Sequence, residues 1–500
     1  MTLGACIAAY SKQKGIHYAL ERSEYYLNEI INKYKEGEVE PYEQHVDSWV
    51  FEAVGRLWSR SRKRDAGERV ESLINKMENL NKEVVPGLFR PTLNMYFLAL
   101  DAWASSGRGD AGKNAMALLR KMKTLHKSGM LDEPNNRALS SVFTSVINSP
   151  GKKTLKTAET LYQQILERYQ RGDRSDYVNK QALTSLLSAI FRSNVVDAET
   201  RALAVLRQIV KLGKQDPDIA PGTIAFNSCL SGFAKRGAGN KAWALLEEMQ
   251  ALYSEGYRSK PDSISYACVA RALSSSVRIP LAMERLDKLT MVILHETETG
   301  VLKPDTQLFN AVINSYSVLS KLDPKAASKA SDLLMNLELS SVGKHPVAPD
   351  LLTFQGVCHA YAMCRDPESA EETLNRAKLL AAKGRLPTPG TELYTSVLLA
   401  HTRSRQQDSL EKASKILEQM EALYNGGHKE AGPNTYAYDT LLSAYANSRG
   451  PQRVEIANGL FAKLYSAFDE GRKECQPSVN SFNWVRKKNS FVQDYDKSTR

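Results

Sequence analysis

The stretch KPDTQLFNAVINSYS, residues 303–317, decides the fold. A proline and an aspartate precede an aromatic, an apolar face and a closing tyrosine. Nearly the same phrase returns as PDLLTFQGVCHAYA from residue 349 and as PNTYAYDTLLSAYA from residue 433. With Phe309 as anchor, equivalent positions fall at Leu3, Phe51, Tyr96, Leu139, Leu183, Phe226, Tyr266, Phe309, Phe354, Tyr394, Tyr438 and Phe482, spaced 40 to 48 residues apart. Repetition at such a period marks stacked supersecondary units. Eleven full units and a partial twelfth fill residues 1–500 as a single array, leaving no room for a second domain.

Three regularities fix the register. Proline sits five residues before most anchors, as at Pro91, Pro134, Pro261, Pro304, Pro349 and Pro433. A bulky residue follows seven after, as at Trp58, Trp103, Phe233, Tyr316, Tyr361 and Tyr445, with His401 the polar exception. A small residue precedes that one, as at Ala102, Gly232, Ser315 and Ala400, which lets a neighbouring helix approach closely. Anchor, +3, +4 and +7 form one face of a 3.6-residue helix. Proline followed by Asp, Asn, Gly or Ser is helix-start chemistry. Each unit continues into a second amphipathic segment, such as NKAWALLEEMQALYSEGY from residue 240, that often ends at glycine. Neither helix can bury its apolar face alone, so the units must stack. The expected fold is all-α, a right-handed α-solenoid superhelix of about eleven helix-turn-helix repeats.

Composition agrees with a folded chain: 42% hydrophobic, 25% charged, mean hydropathy −0.40. No apolar run approaches the roughly 20 residues that span a bilayer, so no membrane partner is expected. The formal net charge of +11 over 500 residues is a mild bias toward polyanions. Six cysteines without a CxxC pair fit a reducing compartment and a packing role. Cys358, His359 and Cys364 lack the further donors that a metal needs, and no cofactor is implied. No Gly-rich phosphate loop, nucleophile motif or carboxylate cluster is present, and Asp494 and Asp496 are an isolated pair, so no enzyme is expected. The opening MTLGACIAAYSKQKG shows no targeting peptide and begins inside a repeat, which reads as a truncated gene model or a fragment.

PGTIAFNSCLSGFAKRGAGNKAWALLEEMQ, residues 221–250, resembles the pentatricopeptide repeat. Pro221, Phe226, Asn227, Gly237, Ala242, Leu246 and Met249 fall in that family's register of Pro-Asp, Thr-Tyr-Asn, a Gly-containing turn and Ala-x-x-x-Phe-x-x-Met. The units here exceed the family's usual length, by a longer second helix after Met249 and, in SVLSKLDPKAASKA at 317–330, by an expanded turn. Tetratricopeptide repeats also pair helices, but lack this Pro-to-aromatic opening.

The resemblance implies single-stranded RNA along stacked repeats, other proteins of RNA metabolism as partners, and a mitochondrial or plastid setting of RNA processing, stability or translation. It places base readers two residues after each anchor and three before the next. The candidate base-facing residues among the occupants are Ser141, Ser185, Thr223, Ser228, Ser263, Thr306, Thr391, Ser396, Thr435 and Thr440. None of the pairs matches the family's informative combinations, and hydroxyls both donate and accept, so readout should discriminate weakly. Small residues there would equally serve packing. Every full unit also carries a basic residue 9 to 13 after its anchor: Lys12, Arg60, Arg108, Lys152, Arg192, Lys235, Arg278, Lys321, Arg365, Arg403 and Arg449. Stacking would align them into a ladder suited to phosphates, with RLWSRSRKR at 56–64 its densest rung. The missing base-reading pairs favour a protein-binding scaffold and the basic ladder favours RNA. A third reading is an accessory subunit that places RNA for a separate nuclease.

Overall fold

A computed structural model describes residues 7, 16–36, 48–83, 89–149, 152–171, 180–193, 195–276, 279–340, 347–404, 406, 408–448 and 453–486. Among the described residues every regular element is helical. The chain divides into two compact units, Met1–Gly232 and Phe233–Arg500. In each, short and long helices alternate as the repeat register requires, an all-α solenoid. Complete first helices run from 12 residues (Ser263–Ser274) to 14 (Ser48–Ser61), and second helices from 16 (Ala198–Gly213) to 20 (Ile279–Glu298).

The first helices form one row within each unit. In the earlier unit Ser48–Ser61 packs on Leu93–Ser105, which packs on Asn136–Asn148 and that on Lys180–Arg192. In the later unit the row runs Ser263–Ser274, Thr306–Leu319, Leu351–Cys364, Thr391–Arg403, Thr435–Asn447 and Val479–Arg486. Within each unit second helices pack against their own first helix and the next one, as Ala111–Lys127 does between Leu93–Ser105 and Asn136–Asn148, and Pro367–Ala382 between Leu351–Cys364 and Thr391–Arg403. Anchors are the floor of these contacts: Phe51, Phe226, Tyr266, Phe354 and Tyr438 are fully buried.

Local chemistry explains the boundaries. The residue after the proline caps the first helix. The side chains of Thr92, Asn135, Asp262, Asp305, Asp350 and Asn434 accept from backbone N–H groups of the first turn, and Asp262 and Asp350 complete capping boxes with Ser265 and Thr353. The turn between helices needs a left-handed residue eleven after the anchor. Gly107 (φ 63°) and Gly237 (φ 66°) supply it without cost, whereas Arg62 (φ 54°) and Arg365 (φ 65°) adopt it against their Cβ. Near residue 320 the turn is longer, the first helix ending at Leu319 and the second starting at Lys325. Second helices close on glycines such as Gly129, Gly256, Gly384 and Gly471, whose positive φ lets the next N–H reach back to a carbonyl of the last turn.

The bulky +7 residue reaches back to the preceding second helix. Trp58 Nε1 donates to Glu24 Oε1 at 2.8 Å, Trp103 Nε1 to Glu71 Oε1 at 2.7 Å and Tyr316 OH to Asp287 Oδ1 at 2.9 Å. His401 obeys the same rule: it is buried, with Nε2 2.6 Å from Glu371 Oε1. The main chain around this small-bulky pair is met by glycines in the first turn of the preceding second helix. An added Cβ on Gly112 would lie 2.8 Å from Val146 Cα, and one on Gly239 2.9 Å from the Ala272 carbonyl oxygen.

Candidate nucleic-acid interface

The first turn of several first helices combines two features. In five of them an apolar side chain two residues before the anchor faces solvent: Trp49 (39% exposed), Ile224 (71%), Ile264 (59%), Leu352 (60%) and Tyr436 (60%), whereas Asn94, Arg137, Gln307, Glu392 and Asn480 hold that position elsewhere. Helical periodicity requires the anchor inside and therefore puts the −2 position outside. One residue earlier stands a hydroxyl that bonds to the next repeat. Ser263 Oγ donates to the Lys303 carbonyl at 3.3 Å, Thr306 Oγ1 to that of Ala348 at 3.3 Å, Thr391 Oγ1 to that of Gly432 at 2.5 Å, and Thr435 Oγ1 to that of Gln476 at 2.7 Å. Each accepting carbonyl belongs to the residue before the repeat's proline. Ser48 Oγ does the same to the Arg90 carbonyl at 3.2 Å. Thr223, at the same position, is half-buried.

The positions two after the anchor are helix-internal. Ser228 Oγ donates to the Ile224 carbonyl at 3.0 Å, Ser396 Oγ to that of Glu392 at 2.9 Å and Thr440 Oγ1 to that of Tyr436 at 2.7 Å. Ser185 is half-buried. Ser141 instead donates to Asp101 Oδ1 of the preceding repeat at 2.5 Å, a carboxylate that also holds Arg137 at 3.1 Å.

The structure brings together a different pair, which sequence reasoning missed: the residue just after the anchor and the cap of the next repeat. Asn310 Nδ2 donates to Asp350 Oδ1 at 3.1 Å, and Ser478 Oγ donates to Asp439 Oδ2 at 2.7 Å. Thr92 Oγ1 and Asn94 Nδ2 both donate to Glu52, the latter at 2.6 Å. The signal was present as a polar residue beside every such anchor, but the partner lies about one repeat away.

At the far end of the same helices Arg60, Arg192, Lys235, Lys321, Arg365 and Arg403 are exposed. Arg403 also touches the Met363 sulfur at 2.9 Å. Arg108 is half-buried and engaged by the protein itself, bidentate to Asp110 at 2.8 and 2.7 Å, paired to Glu68 at 2.7 Å and stacked on Trp103. Lys12, Arg278 and Arg449 lie outside the described residues, as does the side chain of Lys152; Asp494 and Asp496 lie outside them too.

Cys358 is fully buried and burial pushes its thiol up, while His359 sits 2.8 Å from Ser317 Oγ and burial holds its imidazole below the usual range, helped by Arg403. Among the described residues no His, Cys, Asp and Glu group could hold a metal ion, and no helix is long and apolar enough to cross a membrane.

Residues 224–252 match the family model described as PPR repeat. No curated protein matches the chain. Among solved structures the chain is similar to the pentatricopeptide repeat protein PPR10 from maize, at 17% identity and a TM-score of 0.35 over 96% of this chain and 60% of that one. It is also similar to PPR10 in complex with an 18-nt psaJ RNA element, at 18% identity and a TM-score of 0.37 over 91% of this chain and 58% of that one. The chain thus spans about three fifths of the length of the solved proteins that it matches.

Proposed function

We propose that this pentatricopeptide-repeat chain is a non-enzymatic protein that binds single-stranded RNA along the rows of first helices, as one array over residues 1–500. The observation that carries the reading is the exposed apolar side chain at −2, recurring at Trp49, Ile224, Ile264, Leu352 and Tyr436 beside polar groups. Solvated apolar side chains at a fixed repeat position are platforms for unstacked bases, which have an apolar face and a polar edge. The +9 cations Arg60, Arg192, Lys235 and Arg403 stand about 17 Å from the −2 position along the same helix, and Lys321 and Arg365 lie just past the end of theirs. RNA bound by PPR10 accords with this reading.

Weak base choice follows from the hydroxyls. Ser263, Thr306, Thr391 and Thr435 already donate to carbonyls, so only their lone pairs remain for a ligand. They can accept from the amino groups of adenine, cytosine and guanine and from the ring N–H of uracil and guanine, but they cannot donate to a base carbonyl. Asn310 with Asp350 and Asp439 with Ser478 supply further acceptors. The chain would act in organellar RNA processing, stability or translation, alone or placing RNA for a separate nuclease.

The test is fluorescence anisotropy at low salt with unstructured oligoribonucleotides. Binding is expected, with A-, C- and U-rich strands bound within a few fold of one another. Failure to bind any single strand at low salt defeats the reading. A second reading, a protein scaffold, draws on exposed Met291, Met335, Leu339 and Leu379 on second helices. It predicts capture of a protein partner that Leu339→Asp abolishes without change in RNA binding.

A further inference from the structure

Resting on the RNA reading, we propose that the turn at residues 56–64 is a distinct phosphate-cluster site, taking a ligand with at least two closely spaced negative charges. Nine residues at any other turn between the helices of a repeat hold at most three cations, as with Lys235, Arg236 and Lys241. Here four arginines and a lysine fall within nine residues. Arg56, Arg60, Arg62 and Arg64 are exposed, and among the described residues no carboxylate lies within ion-pair distance of them.

The carboxylates nearby are committed elsewhere. Glu24 accepts from Trp58, Asp65 pairs with Arg69, Glu68 with Arg108, and Glu52 accepts from Asn94. Among the described residues the four arginines therefore form no ion pair, and their mutual repulsion favours an anionic occupant. The scaffold beneath is fixed. Trp58 is buried under Lys63 and Arg69, whose cations stand 5.6 and 5.5 Å from its ring, and Ser61 Oγ bonds the Trp58 carbonyl at 2.7 Å. Arg56 and Arg60 are four apart on one helix and share a face. Arginine forks bind phosphate oxygens bidentately, which lysine cannot.

A single phosphodiester carries one charge and would leave most of this cluster unmatched. Two sources supply more: a terminal phosphomonoester, or the paired backbones of a stem beside the single strand. The test compares full-length protein with the variant R56Q/R60Q/R64Q, whose exposed substitutions leave the core intact. The probes are one unstructured strand with hydroxyl ends, with a 5′-phosphate, with a 3′-phosphate, and flanked by a short hairpin. The expected result is at least about a tenfold affinity gain over the hydroxyl strand, the size of one charge-assisted contact set. The variant should lose that gain, read as the ratio of its own phosphate or hairpin affinity to its own plain-strand affinity, while the loss of the ladder cation Arg60 also lowers its plain-strand binding. The phosphate arms or the hairpin arm identifies the source. No gain in any arm, or a gain that survives in the variant, overturns the proposal. Loss of plain-strand binding by the parent would instead defeat the function proposed above.

Discussion

The basic rungs of the later unit make the sharpest test of phosphate contact. Lys235, Lys321, Arg365 and Arg403 are exposed at four of the turns, and changing all four to glutamine lowers the formal charge from +11 to +7. Each phosphate contact on a single strand contributes about 0.7 to the slope of log affinity against log salt. Four contacts contribute about 2.8, which over a fourfold rise in salt is about fifty-fold in affinity. Anisotropy titrations at 50 and 200 mM salt should therefore show the parent losing about fifty times more affinity than the variant over that range. A control variant with Lys123, Lys211, Lys288 and Lys415 changed to glutamine carries the same net charge but alters only second helices. It should keep the parent slope. Slopes for parent and rung variant that agree within about 0.7, one contact, would refute the ladder. Equal loss in the control would show that net charge, not position, governs binding.

Other consequences concern the scaffold. Arg472 is 7% exposed, donates to Glu421 Oε2 and to the Pro433 carbonyl, both at 2.9 Å, and stacks on Tyr424. Arg472→Ala should cost about 3 kcal/mol in denaturant unfolding, since Glu421 keeps only its Tyr438 partner; a loss under 1 kcal/mol would contradict this. Arg365→Gly should stabilise by about 0.5–1 kcal/mol by removing a Cβ from the left-handed region, and a destabilised variant would show that the charge matters more than the backbone. Gly112→Ala forces a Cβ against the Val146 main chain and should cost about 1–3 kcal/mol; equal melting midpoints would mean that the helices can part freely. His359 binds its proton less readily folded than unfolded, so its contribution is present above the unfolded value near 6.5 and is lost as pH falls through the lower folded value. Stability of His359→Asn should accordingly depend less on pH below about 6.5 than that of the parent, and parallel curves would exclude the residue as a source.

The repeat was legible because its signals are local. Pro304, Asp305 and Phe309 lie within six residues, and the chemistry linking them, a helix stop, a cap and a buried ring, acts within one turn. The same holds for His401, whose place at +7 already specified a buried position against the preceding second helix. What the sequence hid are contacts across a full repeat. Arg108 looks like any other rung until Glu68, 40 residues upstream, is seen to hold it. Arg62 and Arg365 look like plain basic turn residues, yet they occupy the backbone site that Gly107 and Gly237 fill elsewhere.

The hydroxyls at −3 show why such positions resist a one-role reading. A proline has no N–H, and the carbonyl before it sits outside any helix, so each repeat start leaves an acceptor unsatisfied. The preceding repeat's Ser or Thr fills that need, and small size is what lets it reach. Packing and recognition therefore draw on the same oxygen: the proton goes to the neighbouring repeat, and the lone pairs remain. A hydroxyl so placed is selected by the stacking of repeats first, and any base preference is what stacking leaves over. That order of demands accounts for hydroxyls at Ser263, Thr306, Thr391 and Thr435, where a base reader alone would favour amides and carboxylates, whose longer side chains could not serve the carbonyl equally well.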